Sequence, residues 1–299
     1  MKKMIEYYYN FKNINLNNIG EEYNFEYNNK KYLLLIIRRS EEELKEMNKL
    51  LQQDKIYNKI IPNIFNQLLT FIDGKRYTLI EKTNKFTNER INIEDIIKQY
   101  NIININEYSS LLRNNWYELW TKKIDYILYQ REHIKGKYII LDQYLDYYIG
   151  MAENAISYYK VTVDTLKYNN VFTLCHRRIK SNLKSEYYNI SDLIIDYPVR
   201  TLSEYLKYLF FNNNSISIKE INDIFLNINY NEYLSRLLFA RMLFPSYFFD
   251  MYEKIINDNF AEKEIIPIIN NIKNYEKYLK NIFYLINKKN RIPQVDWLS

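Results

Sequence analysis

The sequence predicts an α+β protein with a small strand-rich N-terminal part and a larger, mainly helical C-terminal part. Three observations carry this. The first eighty residues hold two hairpin patterns around one amphipathic helix. After Glu81 almost every segment repeats its apolar residues at three-to-four spacing. Within that helical part, VFTLCH and LIID read as short, buried, strand-like pieces.

In the N-terminal part, YNFEY (Tyr23 to Tyr27) and KYLLLIIRR (Lys31 to Arg39) flank Asn28-Asn29, a polar hairpin turn. Ser40 followed by Glu43 is a capping box with acids in the first turn. It opens a helix to about Gln53, with Leu44, Met47, Leu50 and Leu51 on one face. NIFNQLLTFI and KRYTLIEK flank Asp73-Gly74, a strong hairpin signal. The expected order is strand, strand, helix, strand, strand.

Helices are then expected over residues 92–103, 106–133, 139–163, 201–212, 218–228, 231–245, 247–257 and 262–287. The second carries Leu112, Trp116, Trp120, Ile124 and Ile127 as a core stripe. A strand-rich lobe over residues 1–82, joined at a strand end to a helical lobe over residues 83–299, is the protein-kinase-like bilobal plan. Chemistry in that plan is expected at the ends of the two buried strands, near His176 and Asp196.

Composition removes several other classes. Of 299 residues, four are Gly, and no two lie close enough for a phosphate-binding glycine turn. One Cys rules out an internal disulfide, and two His rule out a three-histidine zinc site. Cys175, among apolar neighbours, reads as an inert core thiol. The formal net charge of +6 is spread among 36 acidic residues, so no nucleic-acid partner is expected. The longest aliphatic run, Leu33 to Ile37, is far short of a membrane span, and no secretory signal is expected at the start. The 32 tyrosines accompany abundant Asn, Ile and Lys, which nucleotide bias alone would produce; oxidative cross-linking of exposed tyrosines is the functional alternative.

LCHRRIKSNL (Leu174 to Leu183) followed by LIIDYP (Leu193 to Pro198) resembles two motifs of the aminoglycoside-phosphotransferase and choline-kinase branch of kinase-like folds. The first reads H-G-D-x-x-x-x-N in that branch, the second apolar-apolar-D. The resemblance assigns the first Asp to orienting the accepting hydroxyl, the Asn to a metal, and the second Asp to Mg²⁺ against the nucleotide phosphates. Here His176 matches the His and Asp196 the metal-binding Asp. Arg178 occupies the Asp position, and the Asn position falls on Leu183, with Asn182 one residue early. An Arg accepts no proton at neutral pH and repels Mg²⁺. The strand KYLLLIIRR brings no lysine to the phosphates; Arg38 and Arg39 are expected to cap its end.

Further segments sharpen the likeness: EEELKEM (Glu41 to Met47), DYYIGMAENAISYY (Asp146 to Tyr159), IDYPVRTLSEYLK (Ile195 to Lys207), RLLFARMLFPSYFFDMYE (Arg236 to Glu253) and IPQVDWL (Ile292 to Leu298). Together they resemble the YutH branch of the CotS-type spore coat proteins, from about residue 40 onward. That resemblance implies a spore-forming bacterium, a mother-cell cytoplasmic origin, deposition in the spore coat, and other coat proteins as partners. It implies a degenerate loop (His176, Arg178, Asn182) with no acting catalytic group, and no cofactor. ATP and Mg²⁺ held at Asp196 belong to two competing readings: a small-molecule phosphotransferase with rewired ligands, and a nucleotide-binding pseudokinase switch. Arg178 is expected to pair with Asp196 in place of the missing cation, His176 to brace backbone, and Arg200 to anchor the loop. Glu153 and Asn154 are expected near that loop.

Overall fold

The structure is a computed structural model. It describes residues 1–20, 22–52, 56–82, 89–98, 101–102, 104–167, 171–212 and 218–298. The elements run α1 (Lys2–Tyr9), β1 (Asn17–Ile19), β2 (Glu22–Tyr27), β3 (Lys30–Ile36), α2 (Glu41–Leu51), β4 (Lys59–Ile61), β5 (Thr70–Ile72) and β6 (Lys75–Glu81). They continue with α3 (Ile93–Ile97), β7 (Asn101–Ile102), α4 (Trp116–Ile134), α5 (Ile139–Thr165), β8 (Phe172–His176), α6 (Lys184–Tyr187) and β9 (Leu193–Asp196). The chain closes with α7 (Val199–Phe211), α8 (Ile218–Asn227), α9 (Glu232–Leu243), α10 (Ser246–Asn257), α11 (Ile266–Asn270) and α12 (Ile272–Asn287). The class is α+β, as the sequence predicts. The chain forms two compact units: Met1–Asp95 with Ile102–Leu112 and Ile179–Ile195, and Ile96–Asn101 with Arg113–Arg178 and Asp196–Ser299.

The first unit is built on an antiparallel sheet of order β1-β2-β3-β6-β4, with β5 also paired to β6. Both expected hairpins form. Asn28 and Asn29 have φ of 49° and 59°, and Asp73 and Gly74 have φ of 50° and 74°. Two successive left-handed residues give the turn whose twist matches the paired strands, which is why Asn, Asp and Gly stand there. β3 and β6 pair Leu34 with Leu79, and both are fully buried.

Three features of this unit depart from expectation. The segment before Asp73 pairs only over Thr70–Ile72. Upstream, the Glu41 carboxylate takes the amides of Leu68 and Leu69 at 2.9 and 2.8 Å, and Asn63 Oδ1 takes those of Phe65 and Gln67. Side-chain acceptors thus replace a neighbouring strand. Second, α1 precedes the sheet; its Ile5 and Tyr9, one turn apart, join the core cluster of Phe25, Tyr32, Leu34 and Leu79. Third, β1 and β4 add short strands at opposite ends of the sheet order.

The Ser40 capping box is present in both halves, Glu43 N to Ser40 Oγ at 3.1 Å and Ser40 N to Glu43 Oε2 at 3.0 Å. Arg39 caps the strand end as expected, but through distant backbone: Nε donates to the Ser191 carbonyl at 2.9 Å and Nη2 to that of Leu193.

Among the helices, 92–103 shortens to α3, followed by β7; residues 99, 100 and 103 lie outside the described residues. The Asn and Ile residues of NIININ are weak helix formers. The helix expected over 106–133 is a 3₁₀ turn at Ile105–Leu111 and then α4. Asn115 restarts it, its side chain accepting from Glu118 N at 3.3 Å and donating to the Glu118 carboxylate at 2.8 Å. The last expected helix is three pieces, a 3₁₀ turn at Glu262–Ile265, α11 and α12; Pro267 fits only the first turn of a helix.

In the second unit, tyrosines pack as amphipathic core residues: Tyr275 is buried and donates to the Met242 carbonyl at 2.8 Å, and Tyr148 stacks on Phe248. Tyr7, Tyr117, Tyr126, Tyr129 and Tyr284 are exposed. Among the described residues, no helix is long and apolar enough to cross a membrane.

Candidate functional site

β9 ends at Asp196, and two residues later Pro198 caps α7, so the carboxylate sits beside the start of a helix. Asp196 is fully buried. Trp116 Nε1 donates to both of its oxygens at 3.0 Å. Tyr197 N donates to Oδ1 at 2.8 Å and Arg200 Nη1 to Oδ2 at 2.7 Å. A buried carboxylate is costly unless paired and hydrogen-bonded, and this one is both. Burial pushes its pKa above the ordinary value, against the pull of Arg200 and Arg241.

The expected partner of Asp196 is Arg178; the cation it holds is Arg200. Asp196 ends β9 and Arg200 is the second residue of α7, so the short strand-to-helix turn at Tyr197-Pro198 holds the two side by side. Arg178 forks instead onto Asp250, Nε to Oδ2 and Nη2 to Oδ1 at 2.9 Å, with Nη1 3.4 Å from Glu204. The anchoring role expected of Arg200 is present: Nη2 donates to the Arg177 carbonyl at 3.1 Å and ties the loop after β8 to α7.

A second layer of charge lies along α7. Glu204 is buried and accepts from Arg241 Nε and Nη2 at 3.1 and 2.8 Å; Arg200 Nε stands 3.5 Å away. Burial alone would raise the Glu204 pKa, but Arg178, Arg241, Lys207 and Arg200 together hold it well below the ordinary value. Lys207 is buried too, and Nζ donates to the Arg241 and Phe244 carbonyls at 2.6 and 2.8 Å. Its pKa is depressed well below the ordinary value by burial, with Arg241, Arg178 and Arg200 adding to the effect. The Arg241 guanidinium also lies over the rings of Trp116 and Trp120, 5.4 and 5.5 Å from their centroids, and burial lowers its pKa to about 9.

His176 is buried at the end of β8, and its amide donates to Thr201 Oγ1 at 3.1 Å. Cys175 is wholly buried, its Sγ 3.4 Å from the Tyr197 carbonyl, and burial pushes the thiol up to about 12. That is an inert thiol. Asn182 belongs to the first unit, where its carbonyl accepts from Ile91 N at 2.8 Å. Glu153 and Asn154 are exposed on α5, and Asn154 Nδ2 turns back to the Gly150 carbonyl at 2.7 Å.

His176, Arg178 and Asp196 are therefore brought into one unit, while Trp116, Glu204, Arg241 and Asp250 complete the arrangement unforeseen. A signal for the α7 members exists in the sequence. Arg200, Glu204 and Lys207 follow one another at four and three residues along α7, which stacks them on one side, and Asp196 stands four residues before Arg200 at the end of β9. The donor set does not fit a magnesium ion. Mg²⁺ wants open carboxylate oxygens in octahedral array. Asp196 offers two oxygens already engaged by an indole, an amide and a guanidinium, and Arg178 brings positive charge where a second acid would stand.

Known proteins share this architecture. Across the solved structures, the chain is similar to an aminoglycoside phosphotransferase from Alicyclobacillus acidocaldarius, with a TM-score of 0.60, 8% identity and 92% of each chain covered. It is similar to spectinomycin phosphotransferase APH(9)-Ia, solved with ADP and spectinomycin, with a TM-score of 0.58, 12% identity, and 95% and 96% covered. At that identity the likeness establishes the fold, which is kinase-like. By sequence, the chain is 25% identical to the endospore coat-associated protein YutH of Bacillus subtilis (strain 168) over 257 residues, 76% of this chain and 75% of the relative. The family model described as "Spore coat putative kinase YutH" matches residues 2–282, so the likeness begins at the N-terminal helix, well before the motifs near residue 40. The chain belongs to the YutH family of spore coat proteins.

Proposed function

We propose that this chain is a catalytically degenerate, kinase-like protein with a structural, interaction role in the endospore coat. It is made in the mother-cell cytoplasm and deposited on the spore with other coat proteins as its partners. The observation that carries the reading is the saturation of Asp196 by Trp116, Tyr197 and Arg200, beside an Arg178 committed to Asp250. In this reading the carboxylate that would hold a metal serves as a structural anchor for the start of α7. No ATP or Mg²⁺ is required. The coat-associated relative supports the location.

The test is a thermal melt of the purified chain with ATP or GTP, each with Mg²⁺ or with EDTA. A ligand bound only by the native state at about a hundred times its Kd adds about 2.7 kcal/mol. The expected result is no magnesium-dependent shift and no phosphate release. A magnesium-dependent shift that Asp196→Asn abolishes, accompanied by turnover of the nucleotide, overturns the reading in favour of a rewired phosphotransferase.

A further inference from the structure

In the sheet unit, the chain turns sharply at Asn63-Ile64-Phe65-Asn66. Asn66 N donates to the Asn63 carbonyl at 2.9 Å, and Asn63 N donates to the Gln67 carbonyl at 2.8 Å. Asn66 has a φ of 59°. The corner positions of a turn usually carry Gly, Pro, Asn, Asp or Ser, which suit its backbone and face water. Here they carry Ile64 and Phe65, 50% and 57% exposed. The frame behind them is fully engaged. Asn63 is buried, its Oδ1 accepts from Phe65 N and Gln67 N, and its Nδ2 donates to the Leu69 carbonyl and Thr70 Oγ1, both at 3.2 Å. Two large apolar side chains are thus held out in water by a hydrogen-bonded turn.

The cluster continues onto α1. Ile64 N donates to the Tyr8 carbonyl at 2.8 Å, which ties the turn to the end of that helix. The Phe65 ring centroid lies 6.3 Å from that of Tyr8, and the Tyr8 centroid 5.2 Å from that of Tyr7. Tyr7 is 60% exposed and Tyr8 half-buried. Lys3, one turn before Tyr7, shares its side of α1 and is exposed. Polarity therefore rises stepwise away from the turn: two hydrocarbon side chains, two phenols, then an ammonium. Charge follows the same order. Residues 62–72 carry no charged side chain. Lys2, Lys3 and Lys12 are exposed and form no ion pair among the described residues. The acids set against these segments are engaged: Glu6 accepts from Ile14 N at 3.2 Å, and Glu41 accepts from Leu68 N and Leu69 N.

A contiguous apolar cluster left in water marks a binding surface. Its gradient selects what binds. A lipid monolayer offers hydrocarbon at depth, an interface that favours the amphipathic tyrosine ring above it, and headgroup charge outermost, where lysine ammoniums end. Anionic headgroups complement the three ammoniums. We propose that Ile64 and Phe65, with Tyr7 and Tyr8, dock this chain on the surface of an anionic membrane. The side chains enter the interface and no segment spans it. The inference rests neither on the coat role nor on the state of Asp196.

The test is flotation of the full chain with vesicles of equimolar phosphatidylcholine and phosphatidylglycerol, and separately with vesicles of phosphatidylcholine alone. The chain is expected to float with the anionic vesicles, less with the neutral ones, and less as salt is raised. Phe65→Ser is expected to weaken partitioning onto the anionic vesicles at least about tenfold, and Ile64→Ser at least about threefold. Both positions are exposed, so both variants should keep the wild-type melting midpoint. Leu226→Ser on α8, a residue 70% exposed, should keep wild-type binding. Lys2→Gln with Lys3→Gln is expected to weaken binding to the anionic vesicles at least about fivefold and to leave the neutral ones unchanged. Absence of flotation with anionic vesicles overturns the proposal. So does full binding by both Phe65→Ser and Ile64→Ser, which would reduce the attraction to the chain's net charge. A dimer that Phe65→Ser dissociates, formed by a chain that leaves vesicles unbound, makes the cluster an interface between copies and overturns it equally.

Discussion

At the centre of the sheet unit, Leu34 and Leu79 face each other across β3 and β6, with Ile5, Phe25 and Ile72 packed around them. At the centre of the helical unit's charged layer, Glu204 meets Arg241, Arg178 and Arg200. Both sets are buried, yet they tolerate error differently. An apolar side chain truncated in the sheet core leaves a cavity, and its cost grows with the volume left behind. A charge removed from α7 leaves its partners charged and dry, and that cost does not depend on volume at all. Shape holds one region and charge balance the other.

Glu204→Ala is the sharpest way to break that difference. It removes the acceptor of one buried guanidinium and the neighbour of two more, with an expected loss of about 3–5 kcal/mol. Leu34→Ala, in the sheet core, is expected to cost about 3 kcal/mol. Equilibrium denaturation of both variants checks the order. The comparison predicts a second contrast: Glu204→Leu should recover little, whereas Leu34→Met should recover most of the loss. If Glu204→Ala costs less than Leu34→Ala, the network is a surface-like ion pair and the contrast fails.

The same two regions differ in how far they can be read from the chain. The hairpins at Asn28-Asn29 and Asp73-Gly74, and the Ser40–Glu43 box, are legible because the chemistry that makes them lies within four residues. The buried strands at VFTLCH and LIID are legible for the same reason, a short, mainly apolar run ending in one polar residue. Chemistry supplied from elsewhere is what the chain conceals. The strand expected at Leu68 and Leu69 gives its amides to Glu41. The partner expected for Asp196 lies across the loop, and the true one lies in the first turn of α7. Trp116 is visible as a core residue of a helical stripe, but nothing within its own stretch shows that its indole nitrogen ends on Asp196, eighty positions on. Arg178 itself is legible at once, at the position where the motif it resembles carries an acid.

Acid titration sharpens the contrast at smaller amplitude. Glu204 and Asp250 are held below their ordinary values of 4.5 and 3.8, Arg178 being the first cation acting against the effect of burial in both. Below those values the unfolded chain takes up protons that the native chain refuses. Their contribution is thus present above about pH 4.5 and is lost as the pH falls. Asp196 runs the other way: its raised pKa means the native chain takes that proton first, so it adds nothing to acid loss. Melts between about pH 7 and pH 3 should fall steeply below about pH 4.5. In Glu204→Gln, less stable at the outset, the slope there should be shallower. An unchanged slope would place the acid-sensitive groups outside this network.

The smallest effect expected returns to the sheet unit and asks whether local chemistry there is as independent as it looks. Ser40→Ala removes one half of the capping box of α2 and should cost about 1 kcal/mol, whatever the state of the rest of the molecule. Glu43 is not so isolated. Its carboxylate closes the box at Ser40 N and also stands 3.9 Å from Arg39, whose guanidinium holds the carbonyls of Ser191 and Leu193. If the cap were purely local, Glu43→Ala and Ser40→Ala would each remove one of its two hydrogen bonds and cost about the same. If Glu43 also steadies Arg39, Glu43→Ala should cost more than Ser40→Ala, and the excess should vanish in an Arg39→Ala background. We expect the excess, because a buried guanidinium holding two carbonyls needs a carboxylate nearby for its charge. The small unit would then contain its own miniature of the balance found along α7, one acid and one arginine deep, beneath a helix start that local sequence accounts for completely.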